Sequence, residues 1–287
     1  LPCVSLQGGG VAVFGGTVSF LTCNIFENTA TNGGGVSING GNVQFMQTNI
    51  FSNTAGYGAG VYIVGSSTQV DFQNCNIYSN VAQDGGGIVI WNGNVMFTNV
   101  NIYENRANNG GGVYINSGDV TFTSVNIHSN IANFEGGGVA VFGGTVSFLT
   151  CNIFENTATN GGGVLIQNGN ATFTNVNFHN NDASEGGGVL IYDGNVQFMQ
   201  TSIYSNAAYV EGGGVAVEHG QLTMKGTNIT SNTAAEHGGG IYVGKGVSQP
   251  PKLDDKTSVK SNKPDGCYGF WSSPACFGSA ERFLAPN

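Results

Sequence analysis

A glycine triplet followed by Val or Ile recurs ten times among the 287 residues, from Gly8-Gly9-Gly10 to Gly238-Gly239-Gly240, with Gly58-Ala59-Gly60 as one variant copy. The interval between copies is 25 to 27 residues. A period in this range is typical of stacked repeat proteins, in which each unit buries its apolar face against its neighbours. The length of the chain is therefore set by the number of repeat units, and this number determines how long the rod is.

Composition argues against a disordered chain, against a nucleic acid partner and against a transmembrane segment. Hydrophobic residues make up 40% of the chain, enough to bury a long thin core. Residues before position 245 include two basic and thirteen acidic side chains, a net charge of −11 that repels phosphate, so we expect no nucleic acid partner. No run of 18 apolar residues is present, and we expect no transmembrane segment.

Each unit contains three short stretches that alternate apolar and other residues, in the order G-G-G-V-x-I, G-x-V-x-F and N-I-x-x-N. Alternation with period two indicates half-buried strands, and pairs such as Asn92-Gly93 indicate turns between them. The sequence therefore predicts an all-β fold, a parallel β-helix of about ten coils with three short strands each. We predict coils over residues 1–248, then a final half-coil and a C-terminal cap over residues 249–287.

Two inward columns are predicted to fix the register of the coils. A phenylalanine ladder is expected along the axis, and a slip of one residue would expose the whole column. An asparagine ladder is expected at one corner, where each amide can bond to backbone and to the copies above and below it. The ladders comprise Phe20, Phe45, Phe72, Phe97, Phe122, Phe148, Phe173 and Phe198, and Asn28, Asn53, Asn80, Asn105, Asn130, Asn156, Asn181, Asn206 and Asn232.

The cysteines fall into two groups. Cys23, Cys75 and Cys151 share one repeat position in different coils, and we expect free thiols there because the closest two lie two coils apart. Cys267 and Cys276 bracket a short aromatic loop outside the repeat, where a disulfide would staple a C-terminal cap.

The two ends of the rod are predicted to differ. A prolyl break at Pro250-Pro251 and five lysines between positions 245 and 263 are typical of a protected end. The N-terminal end has no such device. Either more coils precede Leu1, or that end docks onto another subunit.

The elements G-G-G-[V/I] and [I/F]-x-x-N, the second as in Ile25-Phe26-Glu27-Asn28, resemble the GGA[I/V/L] and FxxN repeats of the polymorphic outer membrane protein family. The resemblance covers residues 8 to about 262. It implies a right-handed, pectin-lyase-like β-helix that is secreted or surface-exposed and has an adhesive or structural role. This chain has Gly where the family motif has Ala, and Phe178-His179-Asn180-Asn181 alone matches FxxN literally.

An outward aromatic face is the candidate binding surface. Such a face on a rigid rod can stack on sugar rings or pack against another rod, although the rings could instead only shield one another along the column. The candidate residues are Phe14, Tyr62, Trp91, Tyr114, Phe142, Tyr192 and Tyr242, together with the outward Leu165 and Leu190.

Carboxylates offer an alternative, catalytic reading of the chain. β-Helix enzymes that cut acidic polysaccharides use carboxylate clusters, and the local candidates are Asp193, Glu218 and His219 in one group and Glu185, Glu211 and His237 in another. Charged residues at turns are also ordinary solvated groups. No calcium-repeat or zinc spacing is present, so we predict no metal and no cofactor.

Residues 8–36 are identical to residues 136–164, which indicates that blocks of coils were duplicated. Duplication copies every outward side chain of the block, which is expected for a structural scaffold and not for a protein with a single active site. We therefore predict a non-enzymatic structural or adhesive protein, secreted or on the cell surface, with other subunits or surface glycans as partners. A carbohydrate-binding or polysaccharide-active protein is the alternative. Asn170 and Asn228 lie in sequons and are possible glycosylation sites.

Overall fold

The computed structural model describes residues 4–269 and Cys276, and within this part the chain forms 39 short β-strands. Three long parallel sheets contain 11, 10 and 10 strands, and successive members of each sheet come from successive coils. This is the predicted parallel β-helix.

The first sheet begins each coil directly after the glycine triplet. Its strands are β2 Val11–Val13, β6 Val36–Asn39, β10 Val61–Val64, β13 Ile88–Ile90, β17 Val113–Ile115, β21 Val139–Val141, β24 Val164–Ile166, β28 Val189–Ile191, β32 Val215–Val217, β36 Ile241–Val243 and β39 Cys267–Tyr268.

The second sheet carries the phenylalanine column. Its strands are β3 Thr17–Leu21, β7 Asn42–Met46, β11 Gln69–Gln73, β14 Asn94–Thr98, β18 Asp119–Thr123, β22 Thr145–Leu149, β25 Asn170–Thr174, β29 Asn195–Met199, β33 Gln221–Lys225 and β37 Lys252–Leu253.

The third sheet leads into the asparagine corner. Its strands are β4 Asn24–Phe26, β8 Asn49–Phe51, β12 Asn76–Tyr78, β15 Asn101–Tyr103, β19 Asn126–His128, β23 Asn152–Phe154, β26 Asn177–His179, β30 Ser202–Tyr204, β34 Asn228–Thr230 and β38 Ser258–Lys260.

A fourth short strand, which the three-strand prediction missed, precedes the glycine triplet in most coils. Isolated bridges such as Thr54 to Val81 and Ile131 to Thr157 link these strands across the coils that lack one. The fourth strands are β1 Val4–Gln7, β5 Thr29–Asn32, β9 Thr54–Tyr57, β16 Arg106–Asn109, β20 Ile131–Glu135, β27 Asp182–Glu185, β31 Ala207–Glu211 and β35 Thr233–Ala234. The segment is short and varies in polarity from coil to coil, as Asp182–Glu185 and Ala207–Glu211 show, and backbone pairing with the neighbouring coils makes it a strand.

The phenylalanine ladder is confirmed. Phe45 to Phe198 are fully buried, and successive rings from Phe20 to Phe198 stack with centroids 4.6 to 4.9 Å apart. Strand pairing places Phe97 opposite both Phe72 and Phe122. The spacing of the rings is therefore the spacing of the strands, and one repeat position fixes the register of the second sheet.

The asparagine ladder is confirmed as well, and it satisfies all four hydrogen-bonding positions of each internal amide. The Oδ1 atom of Asn130 accepts from the backbone N–H of Asn105 at 3.1 Å and from its Nδ2 at 3.0 Å. The Nδ2 atom of Asn130 donates to Asn156 Oδ1 at 3.0 Å and to Ile102 O at 2.9 Å. A buried amide without these partners would destabilise the corner, so the repeat at this position is structural.

The glycine triplet lies where the backbone of one coil approaches the next. Gly136 has φ of +63°, and a Cβ atom there would lie 2.5 Å from Val139 O. At Gly138 an added Cβ would lie 2.6 Å from Gly163 O of the next coil. Side chains are therefore excluded by conformation at the first position and by the neighbouring backbone at the third.

The C-terminal residues continue the solenoid further than a half-coil. β37, β38 and β39 extend the second, third and first sheets respectively. The predicted disulfide between Cys267 and Cys276 is present, and Cys23, Cys75 and Cys151 are free, as expected. The boundary between coils and cap near residue 248 stays a prediction, and residues 270–275 and 277–287 of the predicted cap lie outside the described residues.

The ladder makes a direct prediction about stability. Phe122→Ala leaves a cavity between two stacked rings and should lower the free energy of unfolding by about 3–5 kcal/mol. The exposed neighbour Thr121, changed to Ala, should alter it by about 0.5 kcal/mol or less. Urea denaturation of both variants measures the difference, and equal effects would contradict the role of the ladder.

Candidate functional site

The first-sheet face is the outer surface that contains the predicted aromatic residues. We define it as the outward side chains of the first sheet, the residue directly after each of its strands, and the residue directly before each glycine triplet. The last column runs from Tyr57 through Asp84 to Asn109 and from Glu135 through Asn160 to Glu185, joined by backbone bridges, and Glu211 is bridged to His237. The face is therefore bordered on one side by the column of residues before the glycine triplets and on the other by the column of residues that follow the strands.

Part of this face is buried, which corrects one expectation. Leu165 and Leu190, expected as outward apolar residues, are fully buried and form a small cluster with Ala216. The first glycine of the triplet lies against this column, since a Cβ on Gly186 would lie 2.6 Å from Leu190 Cβ. The alternating pattern correctly predicted that these side chains point outward. They are buried because the corner that contains the glycine triplet folds over them.

The predicted aromatic residues occupy two tracks of the face. One track lies at mid-strand and the other directly after the strand, and Phe14 (70% exposed) and Trp91 (42%) are the most exposed members. Ring stacking joins Tyr114 to Phe142 at 4.8 Å and Tyr242 to Tyr268 at 6.0 Å. The mid-strand residues are Tyr62, Tyr114 and Tyr242, and those after the strand are Phe14, Trp91, Phe142 and Tyr192.

The mid-strand tyrosines Tyr62 and Tyr114 have smaller side chains opposite them in the neighbouring coils, whereas Tyr242 pairs with Tyr268. Tyr62 pairs with Ser37 on one side and Val89 on the other, and Tyr114 pairs with Val89 and Ala140. Tyr62 and Tyr114 are therefore separated along the face by buried small or aliphatic residues.

Carboxylates surround the tyrosines at the C-terminal part of the face. Burial raises the pKa of Glu218, and Glu185 and Glu211 raise it further by repulsion. Burial and the nearby Glu211 raise the pKa of Glu185. The pKa of Tyr242 is raised by burial and by its hydrogen bond to the Glu211 carboxylate. Glu185, Glu211, Glu218 and Tyr242 thus form one electrostatically coupled group, which we call the carboxylate cluster.

The structure regroups the two carboxylate sets inferred from sequence. Glu218 is coupled to Glu185 and Glu211 of the other set, whereas Asp193 accepts a hydrogen bond from its own turn, from Gly194 N–H at 2.6 Å. His219 Nδ1 lies 3.3 Å from Gly246 O. The sequence named these residues as candidates located at turns, but their grouping depends on how the corners fold.

His237 of the second set is engaged with the C-terminal coil. Its ring stacks on Tyr268 with centroids 3.8 Å apart and planes 4° apart. This contact gives His237 a packing role at the end of the face.

A similar combination recurs nearer the middle of the rod. The pKa of Tyr114 is raised by burial and then by Asp84, Glu135 and Tyr57. Burial and Asp84 raise the pKa of Glu135. Tyrosine hydroxyls beside carboxylates therefore line the face at more than one level.

The outward side of the third sheet carries two continuous ladders. Rings stack from Phe26 to Tyr204 with centroids 4.7 to 5.1 Å apart, and this column includes His128 and His179. Beside it runs an outward asparagine ladder that sequence reasoning missed, in which Asn101 Nδ2 donates to Asn76 Oδ1 at 2.9 Å. The recurring N-I pair was its signal. Both ladders hold neighbouring coils together at the surface.

The second sheet has a recess near the N-terminal end. Its volume is about 450 Å³, and Val18, Val43, Val70 and Met96 contribute apolar surface to its lining beside the polar side chains. The side chains on its outward columns are Thr17, Ser19, Asn42, Gln44, Gln69, Asp71, Asn94 and Met96. Amide and hydroxyl groups of this kind suit a neutral polar ligand.

The structure shows where the predicted glycosylation sites lie. Asn170 and Asn228 are exposed at the starts of β25 and β34, so both are accessible, and their glycosylation stays a prediction. Within residues 4–269 no cluster of three or more His, Cys, Asp or Glu has metal-binding geometry, and no helix long and apolar enough to cross a membrane occurs there.

The carboxylate cluster predicts a pH dependence of stability. A carboxyl group whose pKa is raised on folding stabilises the fold below its ordinary pKa of 4.5, and that contribution is lost as the pH rises through the raised value. Stability should therefore decrease as the pH rises above about 4.5, and Glu218→Gln should reduce the decrease. Urea midpoints across this range measure it, with the exposed Glu236→Gln as the matched control. An unchanged pH profile in Glu218→Gln would contradict the coupling.

Comparison with known proteins identifies the fold family. Residues 86–262, more than half of the chain, match the family model described as the right handed beta helix region. No curated protein and no solved structure matches the chain. The match and the observed coils agree on an all-β solenoid of parallel strands with right-handed winding. The chain belongs to the right-handed beta helix family.

Proposed function

We propose that this protein is a structural and adhesive repeat protein, secreted or on the cell surface, that contacts other protein subunits or surface glycans through its first-sheet face. The observation that carries the proposal is the 29-residue block at 8–36, which recurs unchanged at 136–164 and folds into equivalent coils. Duplication gives the rod a repeated surface, which increases avidity for a repeated partner. A single active site would gain nothing from such copying.

Its location outside the cytosol is supported by the disulfide between Cys267 and Cys276. Disulfides form and persist mainly in oxidising compartments. The resemblance of the G-G-G-[V/I] and I-x-x-N motifs to the polymorphic outer membrane protein repeats points to the same location and role.

The chemistry of the face fits glycans and polar protein surfaces. Tyr62, Tyr114 and Tyr192 offer half-buried rings that can stack on the apolar side of a sugar. Carboxylates such as Glu135 and Glu185 beside them can accept hydrogen bonds from hydroxyl groups. Rigid sheets hold both the tyrosine rings and the carboxylates in place. Binding therefore loses little conformational entropy.

The test combines imaging of the native assembly with binding to cells and to glycan arrays. The triple variant of Tyr62, Tyr114 and Tyr192 to Ala should lose binding by about tenfold or more, because buried aromatic residues dominate contact energies. Thr121→Ala, Ser147→Ala and Thr223→Ala on the second sheet form the matched control and should bind normally. A monodisperse monomer without affinity for surfaces, glycans or itself would refute the proposal.

A polysaccharide-active protein is the second candidate function, favoured by the carboxylate cluster. Burial and repulsion between the carboxylates raise the pKa values of Glu185 and Glu218, which is the direction of shift that a general acid requires. Catalysis would need a second carboxylate that stays ionised beside the bond to be cut.

A screen for lyase and hydrolase activity on acidic and neutral polysaccharides tests this candidate. Activity that Glu218→Gln abolishes and Glu236→Gln preserves would support it. Absence of turnover on every substrate, together with a blank glycan array, would remove it.

A further inference from the structure

Six asparagines of the chain are followed directly by glycine, the pair of residues at which asparagine deamidates most readily. Glycine has no side chain, so its backbone nitrogen can approach the preceding amide closely. The six pairs begin at Asn32, Asn39, Asn92, Asn109, Asn160 and Asn168. Because all six pairs consist of the same two residues, the fold decides how much their reactivities differ.

Deamidation at such a pair uses only the chain and water. The backbone nitrogen of the glycine loses its proton and attacks Cγ of the asparagine, the Cγ–Nδ2 bond breaks, and ammonia leaves with that proton. Water then opens the succinimide ring at either carbonyl, which gives aspartate or isoaspartate. The glycine N–H must therefore leave any hydrogen bond that holds it, and the backbone around it must be able to move.

Three of the pairs lead into a glycine triplet, where hydrogen bonds between coils hold the glycine nitrogen. The N–H groups of Gly33, Gly110 and Gly161 each donate to a carbonyl oxygen of the next coil, at 2.7 to 2.9 Å. All three glycines are buried. Reaction at these pairs therefore requires two coils to separate first.

The pair at Asn39 is also held by the next coil. Gly40 N–H donates to Thr68 Oγ1 at 3.0 Å and to Val64 O at 3.3 Å. Although Asn39 itself is exposed, the attacking nitrogen is engaged. We therefore group this pair with the three protected ones.

The remaining two pairs, Asn92-Gly93 and Asn168-Gly169, lie in turns between the first and second sheets. No described carbonyl of another coil accepts from either glycine nitrogen. Gly93 N–H donates to Oδ1 of its own Asn92 at 2.8 Å, and no described residue accepts from Gly169 N–H. The bond to Oδ1 brings Cγ of Asn92, the atom to be attacked, close to the attacking nitrogen.

The same turn in another coil already carries the aspartate that deamidation would create. Asp193 precedes Gly194 between β28 and β29, and Gly194 N–H donates to Asp193 Oδ1 at 2.6 Å. Asn92 makes the same contact with Gly93. An aspartate therefore fits this turn, and the fold does not oppose its formation.

We propose that Asn92 and Asn168 are sites of spontaneous deamidation, and that the fold protects the other four Asn-Gly pairs. Each reaction adds a negative charge beside the first-sheet face, directly after Trp91 in one coil and Gln167 in the other. Carboxylates already lie on this face, so the change further disfavours anionic partners as the protein ages. The inference does not depend on the proposed adhesive role.

The experiment follows all six pairs in one sample. The folded chain is incubated at mildly alkaline pH, and peptide mass spectrometry measures aspartate and isoaspartate at each pair over time. Asn92 and Asn168 should react about tenfold or more faster than the four protected pairs, because only the protected pairs must open first.

The same chain in urea is the matched control. Without coils to hold the glycine nitrogens, all six pairs should react at similar rates. A second control is Asn168→Gln, which should remove deamidation at that turn and leave the rate at Asn92 unchanged.

The proposal is overturned if the folded chain reacts at Asn92 or at Asn168 no faster than at the protected pairs. Slow reaction at every pair of the folded chain, with fast reaction in urea, would show that the turns hold these two asparagines as firmly as the triplets hold the others. Unequal rates in urea that follow the folded order would show that local sequence, and not the fold, selects the sites.

Discussion

The asparagine ladder is the interaction on which the coil depends. The residue before each ladder asparagine, such as Ser129, has a positive φ near +55°, an unfavourable conformation for a residue with a side chain. The asparagine amide holds this corner by bonding to the previous coil and to the next one. Each coil is therefore completed by its neighbours, and the corner turns the chain toward the glycine triplet.

Stacking of identical side chains explains the uniformity of the rod. The Phe ladder inside, and the aromatic and Asn ladders outside the third sheet, all repeat at the strand spacing. Contacts extend only between adjacent coils, so coils can be copied as blocks without disturbing distant ones. The identical segments 8–36 and 136–164 illustrate this, because both fold in the same way although one lies at the end of the rod.

The surface carries less uniform chemistry than the core. Along the first-sheet face, tyrosines and carboxylates such as Glu135, Glu185 and Glu218 vary from coil to coil, and burial shifts their pKa values upward. Variation on a fixed scaffold is how solenoids acquire binding surfaces. The proposed adhesive role therefore depends on this face.

The sequence alone determined three strands of each coil and the inward columns, because alternation with period two and repetition report directly on which side chains share a face. The disulfide followed from two cysteines that bracket a short loop outside the repeat. The sequence missed the fourth strand, whose short segments become strands only by pairing with neighbouring coils. It also could not foresee the burial of Leu165 and Leu190 or the coupling of Glu218 to Glu211. These features depend on how a corner folds over the adjacent sheet, which is a tertiary contact between segments that no local pattern encodes.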